Sequence, residues 1–195
     1  MVFLRASAYL DPPPLIRGRG VYLRQPALTD FAAWSSLRAE SRGFLEPWEP
    51  LWPADDLTRG AFRYRIRRHL RDSRADTAYA FFAFDEDTDE LLGGLTLSNV
   101  RRGVAQSASL GYWIGARHAR KGYMTAAVRA LLPYAFDILK LHRVEAACIP
   151  TNRPSMALLK RCGFSEEGLA RRYLRIAGIW QDHLLFAILE NDPRP

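Results

Sequence analysis

The hydrophobic pattern changes period several times along the chain, and each change marks an element. Val21-Tyr22-Leu23-Arg24 alternates as a short strand. Phe31, Trp34 and Leu37 then recur at helical spacing, which predicts a helix to about Glu40 with Thr29 or Asp30 as N-cap. Gly43 to Pro53, rich in Pro and Trp, reads as a structured loop. A second helix of about sixteen residues is expected from Asp55-Asp56, with Phe62, Ile66 and Leu70 as its apolar stripe. Arg59, Arg63, Arg65, Arg67, Arg68 and Arg71 occupy its other face. Tyr79–Phe84, Leu91–Val100 and Ser107–Ile114 read as strands. Asp85 to Glu90, five acids in six residues, reads as a solvated hairpin tip.

Gly122 to Leu139 predicts a helix with Met124, Val128, Leu131, Ala135 and Leu139 on one side and a kink at Pro133. Val144–Ile149 is a strand. Pro154–Cys162 is a short helix, closed by Gly163 as a C′ glycine. Glu167–Ile176 and Gln181–Leu189 form a last pair of strands around Ala177-Gly178. The order β-α-α-β-β-β-α-β-α-β-β implies a mixed sheet covered by helices. At 195 residues, one domain spanning 1–195 is expected, with an irregular N-terminal arm over 1–15.

Composition narrows the class. The longest stretch free of charge, Gly103 to Ala116, has 14 residues, below the ~20 that a membrane helix needs. Arg5 and Asp11-Pro12-Pro13-Pro14 are unlike a signal peptide. Two cysteines, Cys148 and Cys162, form no CxxC pair and suggest neither a disulfide framework nor a zinc site, so a reducing cytoplasm and no metal are expected. Net charge is +7, and Arg supplies 25 of the 28 cations. Genomic base composition accounts for such a skew, and so does a polyanionic partner, because Arg binds phosphate bidentately.

Two segments carry candidate chemistry. In the first, Leu110-Gly111-Tyr112-Trp113-Ile114 leads through Arg117-His118-Ala119-Arg120-Lys121 into Gly122-Tyr123-Met124-Thr125. A helix N-terminus presents unpaired N–H groups, Gly122 permits close approach, and Arg117, Arg120 and Lys121 add charge, so phosphate suits Lys121 to Thr125. In the second, Asn152 and Ser155 open the helix that Gly163-Phe164 close; plain helix capping would explain both.

In this order and separation the two segments resemble the GCN5-related N-acetyltransferase superfamily. Phe44-Leu45-Glu46-Pro47-Trp48-Glu49-Pro50, Ser98-Asn99-Val100 with Arg102-Gly103, Leu110-Gly111-Tyr112, Glu167-Gly168, Tyr173-Leu174, Gly178, Trp180 and Asp182-His183 are similar to the RimJ type of ribosomal-protein-alanine acetyltransferase. The resemblance implies a single-domain α/β (α+β) acetyltransferase fold. Its mostly antiparallel sheet would have about seven strands, about four helices would flank it, and two strands would splay to admit acetyl-CoA. It implies the pyrophosphate at the turn ending in Gly122, the pantetheine arm at Asn152, and Ser155 as the acid that protonates the departing thiolate. Ala119 and Arg120 depart from the usual Gln/Arg-x-x-Gly-x-Gly/Ala turn, and Leu174 stands where the RimL type carries a Glu.

The chemistry also needs an oxyanion donor and help in deprotonating the amine. A backbone N–H near Ile114 is the candidate donor, with Trp113 beside it; Glu49 and then Asp182, through water, are candidate bases. Trp48, Glu49, Tyr112 and Tyr173 are candidate acceptor-groove residues, as are Trp52 and Trp113, although core packing would explain any of the aromatics. The expected acceptor is a protein N-terminal amine, such as the Ala of a ribosomal protein. A small-molecule amine such as an aminoglycoside is the alternative, favoured by an acidic groove; a ribosome-associated assembly factor is another. The Arg59–Arg71 helix could contact rRNA, and the chain could be a monomer or homodimer.

Overall fold

The computed structural model describes residues 14–194. The irregular arm, Arg5 and Asp11-Pro12-Pro13 lie almost wholly outside them. One eight-stranded sheet runs in the order β1-β2-β3-β4-β5-β6-β8-β7. Its strands are β1 (Ile16–Gly18), β2 (Val21–Arg24), β3 (Tyr79–Asp85), β4 (Leu91–Arg101), β5 (Ser107–Ile114), β6 (Arg143–Cys148), β7 (Ser165–Ile176) and β8 (Ile179–Leu189). Every pairing is antiparallel except β5 with β6. The eighth strand, relative to the seven expected, is β1. It has three residues, too few to show a period, and exists because it pairs with β2.

Among the described residues five α-helices flank the sheet: α1 (Phe31–Glu40), α2 (Arg42–Leu45), α3 (Arg59–Arg74), α4 (Tyr123–Pro133) and α5 (Arg153–Arg161). Relative to the four expected, α2 is the extra one, a single turn inside the aromatic loop. Helix α3 starts at Arg59 rather than at Asp55-Asp56, because Thr58 Oγ1 accepts from Ala61 N (3.2 Å) and caps it. Its Phe62 and Ile66 are buried, but Leu70 is exposed, so the apolar stripe ends one turn early. After Pro133 the α4 path continues as a π-turn over Tyr134–Ile138, with Leu139 N donating to Tyr134 O (2.9 Å), instead of a simple kink. Pro133 has no N–H for the carbonyl of Arg129, and the wider turn absorbs that break.

The core has two parts. The larger lies among β2 to β6, β8, α4 and α5 and is filled by residues such as Phe81, Leu95, Leu131, Leu141 and Ile188. The smaller packs α1 and α3 onto the β2-β3-β4 end through Trp34, Leu37, Phe62, Ile66 and Phe82. Helix α1 and the loop that follows it are thereby fixed over β3 to β5.

Candidate active site

The site begins where the sheet opens. Strands β5 and β6 pair only at Ser107↔Arg143, Ala108↔Val144 and Ser109↔Glu145. Beyond this point β5 holds only β4, through Leu110 to Ile114, while β6 holds only β8, through Cys148. The backbone of Gly111 to Ile114 therefore has one unpaired edge. Gly115 N donates to Leu92 O (2.8 Å) on the β4 side. By strand alternation Ile114 and Tyr112 turn their amides toward the gap.

The turn after β5 delivers the chain to the N-terminus of α4. Arg120 and Gly122 both have positive φ, +64° and +88°. Gly122 is the N-cap of α4, and a Cβ placed there would meet no atom within 4 Å. The space in front of the helix is open, as phosphate approach requires. A cavity of about 1020 Å³ runs past Lys121, Gly122, Tyr123, Thr125 and Arg129, with Arg17 and Arg161 also on its walls. Met124 instead is buried in the core.

Arg117 is directed elsewhere. Its guanidinium bridges Glu40 and Glu90, both at 2.6 Å, and its Nε donates to His118 Nε2 (3.1 Å). His118 is buried, which lowers its pKa. The acidic hairpin is thus more than a solvated tip: Glu90 holds Arg117, Glu86 pairs with Arg17 (2.9 Å), and Asp89 accepts from Tyr22 (2.9 Å). Of the three cations that the sequence offered to a phosphate, Arg117 is shared with carboxylates that brace the turn.

Helix α5 stands across the gap. Asn152 Oδ1 accepts from Ser155 N (3.2 Å), so Asn152 is its N-cap. Ser155 Oγ and Tyr112 Oη lie 2.7 Å apart. Burial raises the Tyr112 phenol above its ordinary pKa, and burial also raises the neighbouring Cys148 thiol. The hydroxyl pair joins β5 to α5 across the opening.

On the other face of β5, Trp113 packs against the smaller core. It belongs with a second cavity of about 400 Å³, lined by Trp34, Arg38, Glu49, Trp52, Asp56, Arg65, His69, Gly94 and others. Gly111 and Tyr112 line the same cavity, and Tyr112 turns its hydroxyl to Ser155. Gly94 is required below Trp113: a Cβ there would lie 2.6 Å from Trp113 Nε1.

Arg38 organises this cavity. Nη1 and Nη2 donate to Glu49 Oε1 and Oε2, each at 2.7 Å, and Trp52 Nε1 donates to Glu49 Oε2 (2.7 Å). The guanidinium lies 4.0 Å from the Trp52 ring and 5.0 Å from that of Trp113. Glu49 O also accepts from Ala177 N (2.9 Å), tying the loop to the β7–β8 turn. Both oxygens of Glu49 are held by donors, which is the geometry of a clamp. Asp182 Oδ1 accepts from Arg172 N (2.8 Å) at the irregular β7–β8 register, so it too has a backbone partner. Trp48 and Tyr173 line neither cavity. Tyr173 is instead edge-on to His183, 5.9 Å between centroids.

The cavity also contains a residue that sequence patterning did not select. His69 lies beside Arg65, and burial, followed by Arg65 and Arg68, lowers its pKa to about 4. Arg65 is paired with Asp56 (2.6 Å). The only sequence signal was spacing: Arg65 and His69 sit four apart on α3.

A family profile described as an acetyltransferase (GNAT) domain matches residues 21–165, which contain the splayed strands, the α4 turn and Ser155. The chain belongs to this family. It is an N-acetyltransferase with acetyl-CoA as its donor. A probable N-acetyltransferase, YjcK of Bacillus subtilis, is 38% identical over 178 residues, covering 91% of this chain and 98% of that protein. The [ribosomal protein uS5]-alanine N-acetyltransferase of Escherichia coli is 36% identical, covering 85% and 87%. Mycobacterium smegmatis RimJ in complex with CoA-disulfide is 36% identical with a TM-score of 0.84, covering 91% and 86% of the two chains. The residues suit acetyl-CoA: an open helix N-terminus for its phosphates and a splayed strand edge for its extended arm. Among the described residues no group of three or more His, Cys, Asp or Glu could hold a metal ion, and no helix is long and apolar enough to cross a membrane.

Proposed function

We propose that the enzyme acetylates the α-amine of a protein N-terminus, with a ribosomal protein beginning in Ala as the acceptor, in the cytoplasm. The charge balance of the Arg38 cavity carries this reading. Its two carboxylates, Glu49 and Asp56, are each bound to an arginine. A polycationic acceptor such as an aminoglycoside needs unpaired acids, and this cavity offers none. A peptide terminus brings one amine and a row of amide groups, which suits aromatic walls and paired charges. The Escherichia coli relative named for ribosomal-protein alanine acetylation supports the same acceptor.

In this reading Lys121 to Thr125, with Arg120 beside them, hold the pyrophosphate. Arg117 sets the turn through Glu40 and Glu90, and Asn152 fixes α5 and faces the pantetheine arm. An α-amine titrates near ~7.7–8.0, so a useful fraction is neutral at the pH of the cell. That amine attacks the thioester carbonyl, and the amide N–H of Ile114 receives the oxyanion. Ser155 gives its proton to the departing thiolate and is reprotonated from solvent water through Tyr112, its partner at 2.7 Å, so that both hydroxyls end protonated. Water removes the excess proton from the amine. Glu49 and Asp182 act by position: one clamps the acceptor loop, the other fixes the strand irregularity.

An acetyl-transfer screen of N-terminal peptides beginning with Ala, Ser or Met, with aminoglycosides alongside, tests the reading. Turnover on Ala peptides supports it. Turnover confined to aminoglycosides, or acetyl-CoA binding without turnover on any peptide, overturns it.

A further inference from the structure

Helix α3 has two working sides. Phe62 and Ile66 are buried in the smaller core, and Arg65 and His69 line the acceptor cavity. The outer side carries Arg63, Tyr64, Arg67, Arg68, Arg71 and Arg74, all exposed. At 16 residues the helix is ~24 Å long, with cations on every turn.

Almost nothing neutralises this face. Asp72 is the only acid in the helix, and Arg68 and Arg71 share it at 3.4 Å. Among the described residues no carboxylate lies within ion-pair distance of Arg63, Arg67 or Arg74. Like charges four apart, as in Arg63/Arg67 and Arg67/Arg71, work against a helix. The sequence keeps them although, of the three, only Arg71 has a carboxylate partner among the described residues, and such a local conflict is the mark of a functional surface.

We propose that the outer face of α3 is an RNA-docking surface that seats a ribonucleoprotein acceptor beside the cavity; it rests on the protein N-terminus reading of that cavity. Charge complementarity identifies the occupant. Guanidinium forks match phosphate oxygens bidentately. Tyr64 is 65% exposed among the arginines, where an unstacked base can lie on its ring. An anionic membrane fits poorly, because a surface-bound helix inserts an apolar face and the apolar residues Phe62 and Ile66 are already committed to the core. The same helix thus lines the acceptor cavity with its inner side and faces RNA with its outer side. A chain terminus protruding next to RNA would meet both at once.

The test uses the full-length protein and fluorescence anisotropy with an RNA hairpin containing a single-stranded loop. Wild-type affinity should fall linearly in logarithmic salt concentration as counterions are released. R63Q/R67Q/R71Q should reduce that slope by about 2 to 3 and weaken binding about a hundredfold at ~0.1 M salt. R63K/R67K/R71K should keep the slope. Acetylation of a short peptide by the glutamine variant should stay within about twofold of wild type, with an unchanged melting temperature. Salt-insensitive RNA binding, equal binding by the glutamine variant, or a preference for phosphatidylserine-containing vesicles over the hairpin would overturn the proposal. If wild type binds the hairpin as expected but acetylates no peptide, the acceptor reading fails instead, and the two failures are told apart.

Discussion

Glu49→Gln separates a clamp from a base. The Arg38 side chain is 8% exposed and that of Glu49 19%, so the pair is shielded from solvent. Three donors converge on the carboxylate. A glutamine has one acceptor oxygen, and its amide N–H groups must face Arg38 in either orientation and Trp52 as well in one of them, donor against donor. Each charge-assisted hydrogen bond contributes about 1.5–3 kcal/mol, and Arg38 keeps its charge without a counterion. Breaking a buried pair from one side costs about 3–5 kcal/mol. For a chain of 195 residues, where about 1 kcal/mol shifts the melting temperature by roughly 2–4 °C, that is about 6–20 °C. Calorimetry and peptide kinetics provide the assay. The acceptor KM should rise as the Glu49–Pro53 loop loosens, while acetyl-CoA affinity stays near wild type. In a cycle with Arg38→Met, the double variant should lose at least about 1.5 kcal/mol less than the sum of the singles. A melting temperature within about 2 °C of wild type, with kcat down about a hundredfold, would refute the clamp and restore Glu49 as a base.

Gly122→Glu puts its Cβ into open space but at φ +88°, a strain of about 1–2 kcal/mol that the fold should survive, and it places a carboxylate against the phosphates; at about 1–4 kcal/mol per close charge pair, calorimetry should show acetyl-CoA affinity down about five- to a thousandfold. Ser155→Ala should lower kcat about 10²–10⁴-fold with little change in coenzyme affinity, and Tyr112→Phe should lower it in the same direction; kcat within twofold in both would assign thiolate protonation to water. His69 has a folded pKa of about 4 against 6.5 unfolded, so the unfolded chain binds the extra proton between these values. Its contribution to stability is present above pH 6.5 and is lost as pH falls toward 4, up to about 3 kcal/mol; urea unfolding of His69→Gln should lack this part of the acid sensitivity.

Local pattern determined much of this protein. Strands β3, β4 and β5 follow from short apolar runs, since β3 and most of β4 are buried on both faces, and the buried faces of α1 and α4 follow from helical spacing. The turn into α4 was legible because Gly122 and the cations around it are consecutive residues. The Ser155 helix was legible because its cap and its closing glycine are local signals. What depended on tertiary structure is everything decided by a distant partner. Strand β1 exists only against β2. Leu70 follows the helical stripe but is exposed, because the smaller core ends at Ile66. The acidic run is a brace because Arg117 and Arg17, distant in sequence, fold back onto it. Trp113 faces the Arg38 cavity because the orientation of β5 turns the hydroxyl of Tyr112 to α5 and the ring of its neighbour to the smaller core. Glu49 looked like a candidate base in a Pro- and Trp-rich loop. Trp52 reaches it from three residues along the same loop, but Arg38 is brought to it by the packing of α1 beneath that loop, and a carboxylate's role is set by all of its donors.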